Sequence, residues 1–257
     1  MNIVYVVDET SFFLPNILKE LIEKRNDNSN LIFIIKNVPK KACIKTYLIN
    51  NFFYLNLYEI VKLAFLVCFN FFMKVFNLSL ITGNFYSVEH VCKNKKLPYL
   101  NIYKDINNSL YLKKIENFKP DIIINMGSYL FNDHLLNLPK FGCINRHTSL
   151  LPSYKGLLPV FFALKNNEEF VGISFIKMIP KIDGGQILSQ KKFFVHKDDT
   201  VFSLYKKTSQ ENCKLCNIAI NELLRNRFII NKFKDSYFSW PDKYDWETFR
   251  LNKKKFI

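Results

Sequence analysis

Short apolar runs that alternate with helix-spaced stretches constrain this chain more than any other feature of its sequence. Residues 3–7 form the first run, and residues 14–24 follow with Leu14, Ile17, Leu18, Leu21 and Ile22 on one helical face. Further β-rich runs fall at 31–35, 80–82 and 121–125, and another leads into Asn145. Between them, 87–95, 110–118 and 131–138 read as helices, with Ser109 as an N-cap of the second and Lys119-Pro120 as its stop. Strands as apolar as Asp121-Ile122-Ile123-Ile124-Asn125 are buried on both faces, the habit of parallel sheets covered by helices. The expectation is an α/β fold: an open, mostly parallel sheet with helices on both faces. Ligands on such sheets sit beyond the carboxyl ends of the strands.

After residue 150 the pattern changes. Residues 157–165 read as a helix. Residues 171–178 and 187–195 read as extended runs around Pro180-Lys181-Ile182-Asp183-Gly184-Gly185, whose proline and glycines mark a tight loop with Asp183 at its tip. Residues 200–225 read as one long helix capped by Thr200. The division expected is a main domain over 1–227 and a short C-terminal extension over 228–257. Residues 57–76 are almost wholly apolar, with basic interruptions only at Lys62 and Lys74. The stretch between those lysines falls short of the roughly 20 apolar residues that a membrane span needs. It reads as a buried core helix; a helix that dimerises or lies in a membrane surface is the alternative.

The formal net charge is +15. The lysines are scattered, in short clusters at 93–96, 191–192 and 253–255, and would serve anionic small substrates as readily as a polyanion. Met1-Asn2-Ile3-Val4 has neither the basic start nor the small-residue cleavage site of a signal peptide, so the chain is expected in the cytoplasm with its 6 cysteines reduced. Cys213-Lys214-Leu215-Cys216 sits inside a helical pattern without the second pair that a zinc site wants, and no metal is expected.

The chemistry concentrates at Asn145-Arg146-His147-Thr148-Ser149-Leu150-Leu151-Pro152. Asn145 and His147 stand at i and i+2, on the same side of a strand. Pro152 ends any ladder. Two polar side chains facing one way at a strand's carboxyl end suit activation of a carbonyl, because they aim donors at an oxygen that becomes negative. Each residue alone has a blander reading: a structural histidine, a turn-capping asparagine, a loop aspartate in Asp183.

Taken together, Asn145-x-His147-x-Ser149-Leu150-Leu151-Pro152-x-Tyr154-Lys155-Gly156-x-x-Pro159, continued by Gly172-Ile173-Ser174 and Asp183-x-Gly185-x-Ile187-Leu188, resembles the folate-dependent formyltransferases. That family includes methionyl-tRNA, glycinamide ribonucleotide and amino-sugar formyltransferases. The resemblance covers about residues 120–190. It implies a Rossmann-like formyltransferase fold, 10-formyltetrahydrofolate as co-substrate and a primary amine as acceptor. It also implies that Asn145 and His147 donate to the tetrahedral oxyanion, while Asp183 accepts the proton shed by the amine. Met126, Gly127, Ser128, Tyr129 and Leu130 would line a pterin slot, and Ser149, Leu150, Leu151 and Pro152 would wall the formyl site. Arg146 and Lys155 could meet acceptor phosphates. Two departures stand out: Arg146 occupies a place where an apolar residue is commoner, and Asp8-Glu9-Thr10 replace a glycine-rich turn.

The acceptor expected is a small amine, a nucleotide-linked amino sugar. A methionyl-tRNA formyltransferase without the usual C-terminal tRNA-holding domain is one alternative. A catalytically silent formyltransferase-fold interaction module is another. A homodimer is a further expectation to test, as is peripheral membrane contact through 57–76.

Overall fold

Strand β1 (Asn2–Asp8) and helix α1 (Leu14–Lys24) stand where the sequence places them. The computed structural model describes residues 1–25 and 27–257, the side chains of Lys40 and Leu80 apart. Along the chain follow β2 (Ser29–Ile35), α2 (Ile44–Asn50), α3 (Leu57–Val75), α4 (Ser79–Thr82), α5 (Val88–Asn94), β3 (Tyr99–Ile102), α6 (Ser109–Phe118), β4 (Ile122–Met126), α7 (Asp133–Asn137) and β5 (Gly142–His147). Then come β6 (Lys155–Gly156), α8 (Pro159–Lys165), β7 (Phe170–Lys177), β8 (Ile187–Phe194), α9 (Val201–Ser209), α10 (Asn212–Leu224), β9 (Tyr237–Phe238) and α11 (Lys243–Leu251). The strands are mostly parallel and alternate with helices, as expected.

The chain divides into two units. The first comprises Met1–Ala42, Val67–Asn145 and Lys177–Pro180. Its strands run in the order β3-β2-β1-β4-β5, all parallel. The order reverses at β1, so the carboxyl ends of β1 and β4 flank a topological switch point. Alternate residues Val4, Val6, Phe33, Ile35, Ile123 and Cys143 pack with Tyr111 and Ile115 of α6 and Leu135 of α7. Ile3, Tyr5 and Val7, which point the other way, are equally buried, as in a sheet covered on both faces.

The second unit comprises Cys43–Leu66, Arg146–Ile176 and Lys181–Ile257. Strands β7 and β8 pair antiparallel, and the two-residue strands β6 and β9 pair parallel. Its core joins Phe161 and Phe162 of α8 and Leu204 of α9 to Trp246 and Phe249 of α11, with Phe256 and Ile257 at the chain's end. The segment 228–257 is thus structured. Asp242 and Asp245 form a capping box that starts α11. Trp246 Nε1 donates to the Tyr47 hydroxyl at 2.6 Å, and that hydroxyl donates to the Pro241 carbonyl at 2.8 Å.

Several local expectations are corrected. Residues 80–82 are not a strand. They belong to α4, which Gly83 closes in the left-handed region (φ 70°) by returning its N–H to Ser79 O. The third strand is β3, paired with β2 from Ile32↔Tyr99 onward. Asn108, not Ser109, caps α6, its side chain accepting from Leu110 N–H. The single helix expected over 200–225 breaks into α9 and α10. The buried Asn212 side chain donates to the carbonyls of Thr208 and Ser209, taking the last turn of α9 out of the helical ladder. Finally, α3 is not a buried core helix: most of its apolar residues are exposed. Among the described residues no helix is long and apolar enough to cross a membrane.

Candidate functional site

The local sequence of β5 explains its geometry. Cys143 and Ile144 are buried and anchor the strand, while β4 pairs with it so that Asn125 stands opposite Asn145. Asn125 is a lone polar residue at the end of an otherwise apolar run and is 3% exposed. Its amide nitrogen donates to Asn145 Oδ1 at 3.2 Å, and its own Oδ1 accepts from Gly127 N–H at 3.0 Å. With Asn145 Oδ1 engaged in this way, the NH₂ is the end of that side chain that carries donors. The residue expected to act is therefore oriented by one the sequence did not single out.

The loop after β4 is tied across the switch point to β1. Asp8 Oδ1 accepts from Ser128 N–H at 3.0 Å, and its Oδ2 accepts from the Ser128 hydroxyl. Desolvation pushes the Asp8 carboxyl up to about 6, against the two Ser128 hydrogen bonds, which pull it down. Gly127 is closely packed: a Cβ there would lie 2.5 Å from Ile35 Cδ1 and 3.4 Å from Asp8 Oδ1. Tyr129 donates its hydroxyl to Asn37 O, Leu130 O accepts from Asn107, and the Leu130 side chain is exposed. Met126 is buried. In place of a glycine-rich turn after β1, Glu9 reaches the start of α5, where its carboxylate accepts from Glu89 N–H and pairs with Lys36.

His147 ends β5 and is buried. Its Nε2 lies 2.9 Å from the Tyr154 carbonyl, and its Nδ1 lies 3.5 Å from Asp183 Oδ2. Both ring nitrogens thus face oxygen acceptors, an arrangement that an imidazolium satisfies at both ends and a neutral ring at one. Asp183 adopts φ 47°, a left-handed conformation that aspartate tolerates better than most residues. Its Oδ2 also accepts from Gly156 N–H at 2.9 Å. Structure therefore brings the distant His147 and Asp183 together, and Asn145 stands two residues from His147 on β5.

The stretch from Ser149 to Pro152 is held by a polar lattice that the sequence did not reveal. Ser174 donates to Ser149 O at 2.6 Å and accepts from Leu151 N–H at 3.2 Å. Gln190 and Asn231 both donate to Leu151 O, at 3.0 and 2.7 Å. Leu150 fills the space that a side chain on Gly172 would need. The Leu151–Pro152 bond is cis. A cavity of about 40 Å³ opens beside Asp183, lined also by Pro152, Lys155 and Gly184; it has room for a water-sized group.

Both cations considered for acceptor phosphates are engaged by partners within the protein. The buried Lys155 pairs with Asp235 at 2.7 Å. The Arg146 guanidinium donates to the Asn212 side-chain carbonyl, and burial pulls its pKa down to about 10. Sequence could have flagged Asn125, as a polar residue breaking a buried apolar strand. Nothing in the sequence could have paired Asp8 with Ser128, which lie 120 residues apart.

Residues 82–220 match the formyl transferase family model. A methionyl-tRNA formyltransferase of Wolbachia pipientis (strain wPip) is 35% identical over 120 residues, which is 46% of this chain and 40% of that one. The matches to curated relatives cover half or less of those proteins' length. Among solved structures, the phosphoribosylglycinamide formyltransferase of Bacillus halodurans aligns with a TM-score of 0.59 at 16% identity, covering 87% of this chain and 95% of that one. An N-formyltransferase of Helicobacter canadensis, solved with folinic acid and dTDP-3-aminofucose, aligns with a TM-score of 0.55 at 18% identity, covering 95% and 72%.

Proposed function

This chain belongs to the formyl transferase family, and on that footing we propose that it moves a formyl group from 10-formyltetrahydrofolate to the primary amine of a nucleotide-linked sugar. The observation that carries the reading is the grip on Asp183 Oδ2, 3.5 Å from His147 Nδ1 and 2.9 Å from Gly156 N. In this reading the amine nitrogen attacks the formyl carbon and the carbonyl oxygen becomes an oxyanion. The Asn145 amide donates to that oxygen, and the His147 imidazole does so once its Nε2–H turns from the Tyr154 carbonyl. Removing one such donor typically costs about two to three orders of magnitude in rate. Asp183 takes the proton released by the amine, directly or through a water in the adjoining cavity. The C–N bond to folate then breaks, and N10 leaves with a proton returned by the same relay. The loop from Met126 to Leu130 and the stretch from Ser149 to Pro152 would receive the folate.

The sugar acceptor draws support from the likeness in fold to sugar N-formyltransferases over nearly the whole chain. Formylation of methionyl-tRNA is the second reading, favoured by the 35% identity to a methionyl-tRNA formyltransferase. Incubation with 10-formyltetrahydrofolate and a panel of nucleotide-linked amino sugars, with initiator methionyl-tRNA in parallel, separates the two. Tetrahydrofolate release with a sugar and not with tRNA is expected. Release with tRNA alone would replace the acceptor, and release with neither would overturn the activity.

A further inference from the structure

Helix α3 reverses the usual arrangement of an amphipathic helix. Its inward positions include Glu59 and Asn70, both buried, while Leu57, Tyr58, Val61, Phe71 and Phe72 face outward, at 51–77% exposure. Glu59 is buried because partners await it. Both guanidinium nitrogens of Arg250 reach its carboxylate, and Phe256 N–H donates to Oε1 at 2.7 Å. The outward face has no such explanation, and Phe52 and Phe53, in the turn before the helix, add two more exposed rings. Covering one ring fully removes roughly 150–250 Å² from water. At about three-fifths exposure, Phe52, Phe53, Tyr58, Phe71, Phe72 and Phe76 together offer on the order of 700 Å².

Charge selects the occupant. From residue 40 to residue 86 the sequence has five lysines, no arginine and one acid, and that acid is Glu59, turned inward onto Arg250. Lys74 is paired with Glu9, but Lys41, Lys45 and Lys62 are exposed, so the outward surface of this segment is apolar and cationic, with no exposed carboxylate of its own. A second copy would bring the same positive charges against it. An anionic bilayer surface supplies both missing halves: phosphates for the lysines, and an interfacial zone in which aromatic rings settle. Lys62 fits that role, its ammonium 5.5 Å from the Tyr58 ring centroid, so that its stem lies along apolar surface and its charge at the rim. We propose that the outward face of α3, with the turn before it, docks flat on an anionic lipid surface.

The test uses the full chain and vesicles of phosphatidylcholine, alone or mixed with phosphatidylserine. Cys68, exposed on α3, carries an environment-sensitive dye in a Cys43→Ser background. The expected result is co-sedimentation with the anionic vesicles and a blue shift of the dye, both falling as salt is raised. Lys62→Gln should weaken partition roughly fivefold. Val61→Ser with Phe72→Ser, both at exposed positions, should weaken it about tenfold or more while leaving the circular dichroism unchanged. Absence of binding to either vesicle would overturn the proposal, as would equal binding to both. So would a concentration-dependent dimer in sedimentation equilibrium that the Val61→Ser, Phe72→Ser variant abolishes.

Discussion

The backbone N–H of Gly156 donates to Oδ2 of Asp183 at 2.9 Å, across 27 positions of sequence. Gly156 holds φ 92°, and a Cβ there would lie 2.1 Å from the carbonyl oxygen of Phe238. The glycine is thus gripped on one side by β9 and grips the carboxylate beside His147 with its own N–H. A strand of the C-terminal segment, remote from the motif in sequence, takes part in setting its geometry.

Gly156→Ala should therefore damage both stability and activity. The left-handed backbone alone costs about 1–2 kcal/mol for a residue with a Cβ, and the collision with Phe238 O adds strain that only separation of β6 from β9 relieves. A drop in Tm accompanied by loss of formyl transfer is the expected pair of results. A stable variant with unaltered kcat would show that β9 plays no part in placing Asp183.

Replacing His147 or Asp183 tests the proposed chemistry without a change of fold. His147→Ala and Asp183→Asn should each lower kcat by about two to three orders of magnitude, with KM for the folate changed far less. The double variant should be little worse than either single one, because the two side chains act as a unit. Steady-state rates of tetrahydrofolate release decide this; additive losses would separate the two residues into independent roles.

Asp8 makes stability depend on pH in a defined direction. Its folded-state pKa of about 6 lies above the ordinary carboxyl value of 3.8. Between those values the folded state holds a proton that the unfolded chain has released. The stabilisation is therefore complete below about pH 4 and is lost as pH rises through 6. Asp8→Asn removes this dependence. The stability of the native protein relative to that variant should fall by up to about 3 kcal/mol between about pH 4 and 7, at roughly 1.4 kcal/mol for each pH step between the two pKa values. Urea unfolding of both proteins across that range is the measurement, and parallel curves would contradict the assignment.

Gly127 and Ile35 form a pair whose coupling can be measured. A Cβ on residue 127 would meet Ile35 Cδ1 at 2.5 Å, so Gly127→Ala should destabilise the protein by about 1–3 kcal/mol. Ile35→Val removes that methyl group and should recover part of the loss. A double-mutant cycle by denaturant unfolding reads the coupling directly. Zero coupling would mean that Gly127 is needed for some other reason.

Much of the fold was legible along the chain because buried parallel strands announce themselves as wholly apolar runs, as 3–7 and 121–125 do. Where local signals were weak, they misled. Residues 80–82 are apolar enough for a strand yet close a helix at Gly83, and the helix expected over 200–225 parts because Asn212 bonds backward to Thr208 and Ser209. Asn145 and His147 could be picked out from residue type and strand spacing, while Asp183 joined them through the resemblance of the whole motif; in the fold its Oδ2 lies 3.5 Å from His147 Nδ1. Asn125 stands out as a polar residue in an apolar strand and Gly156 lies within the motif, but neither announces its partner: the bonds from Asn125 to Asn145 and from Gly156 to Asp183 exist only in the folded chain.

Sequence by itself determined the alternation of strands and helices and the polar trio on which the proposed chemistry rests, since periodicity and residue type are local properties. Tertiary structure alone decided which distant groups meet and which apolar surfaces stay uncovered. The Asp8–Ser128 tie and the Gly156–Phe238 contact exist only once the chain has closed loops of many tens of residues. The inward turn of Glu59 required Arg250, 191 positions away. A helix apolar around most of its circumference has no preferred inner side of its own, so the partners of Glu59 chose it, and the aromatic face of α3 was left outside.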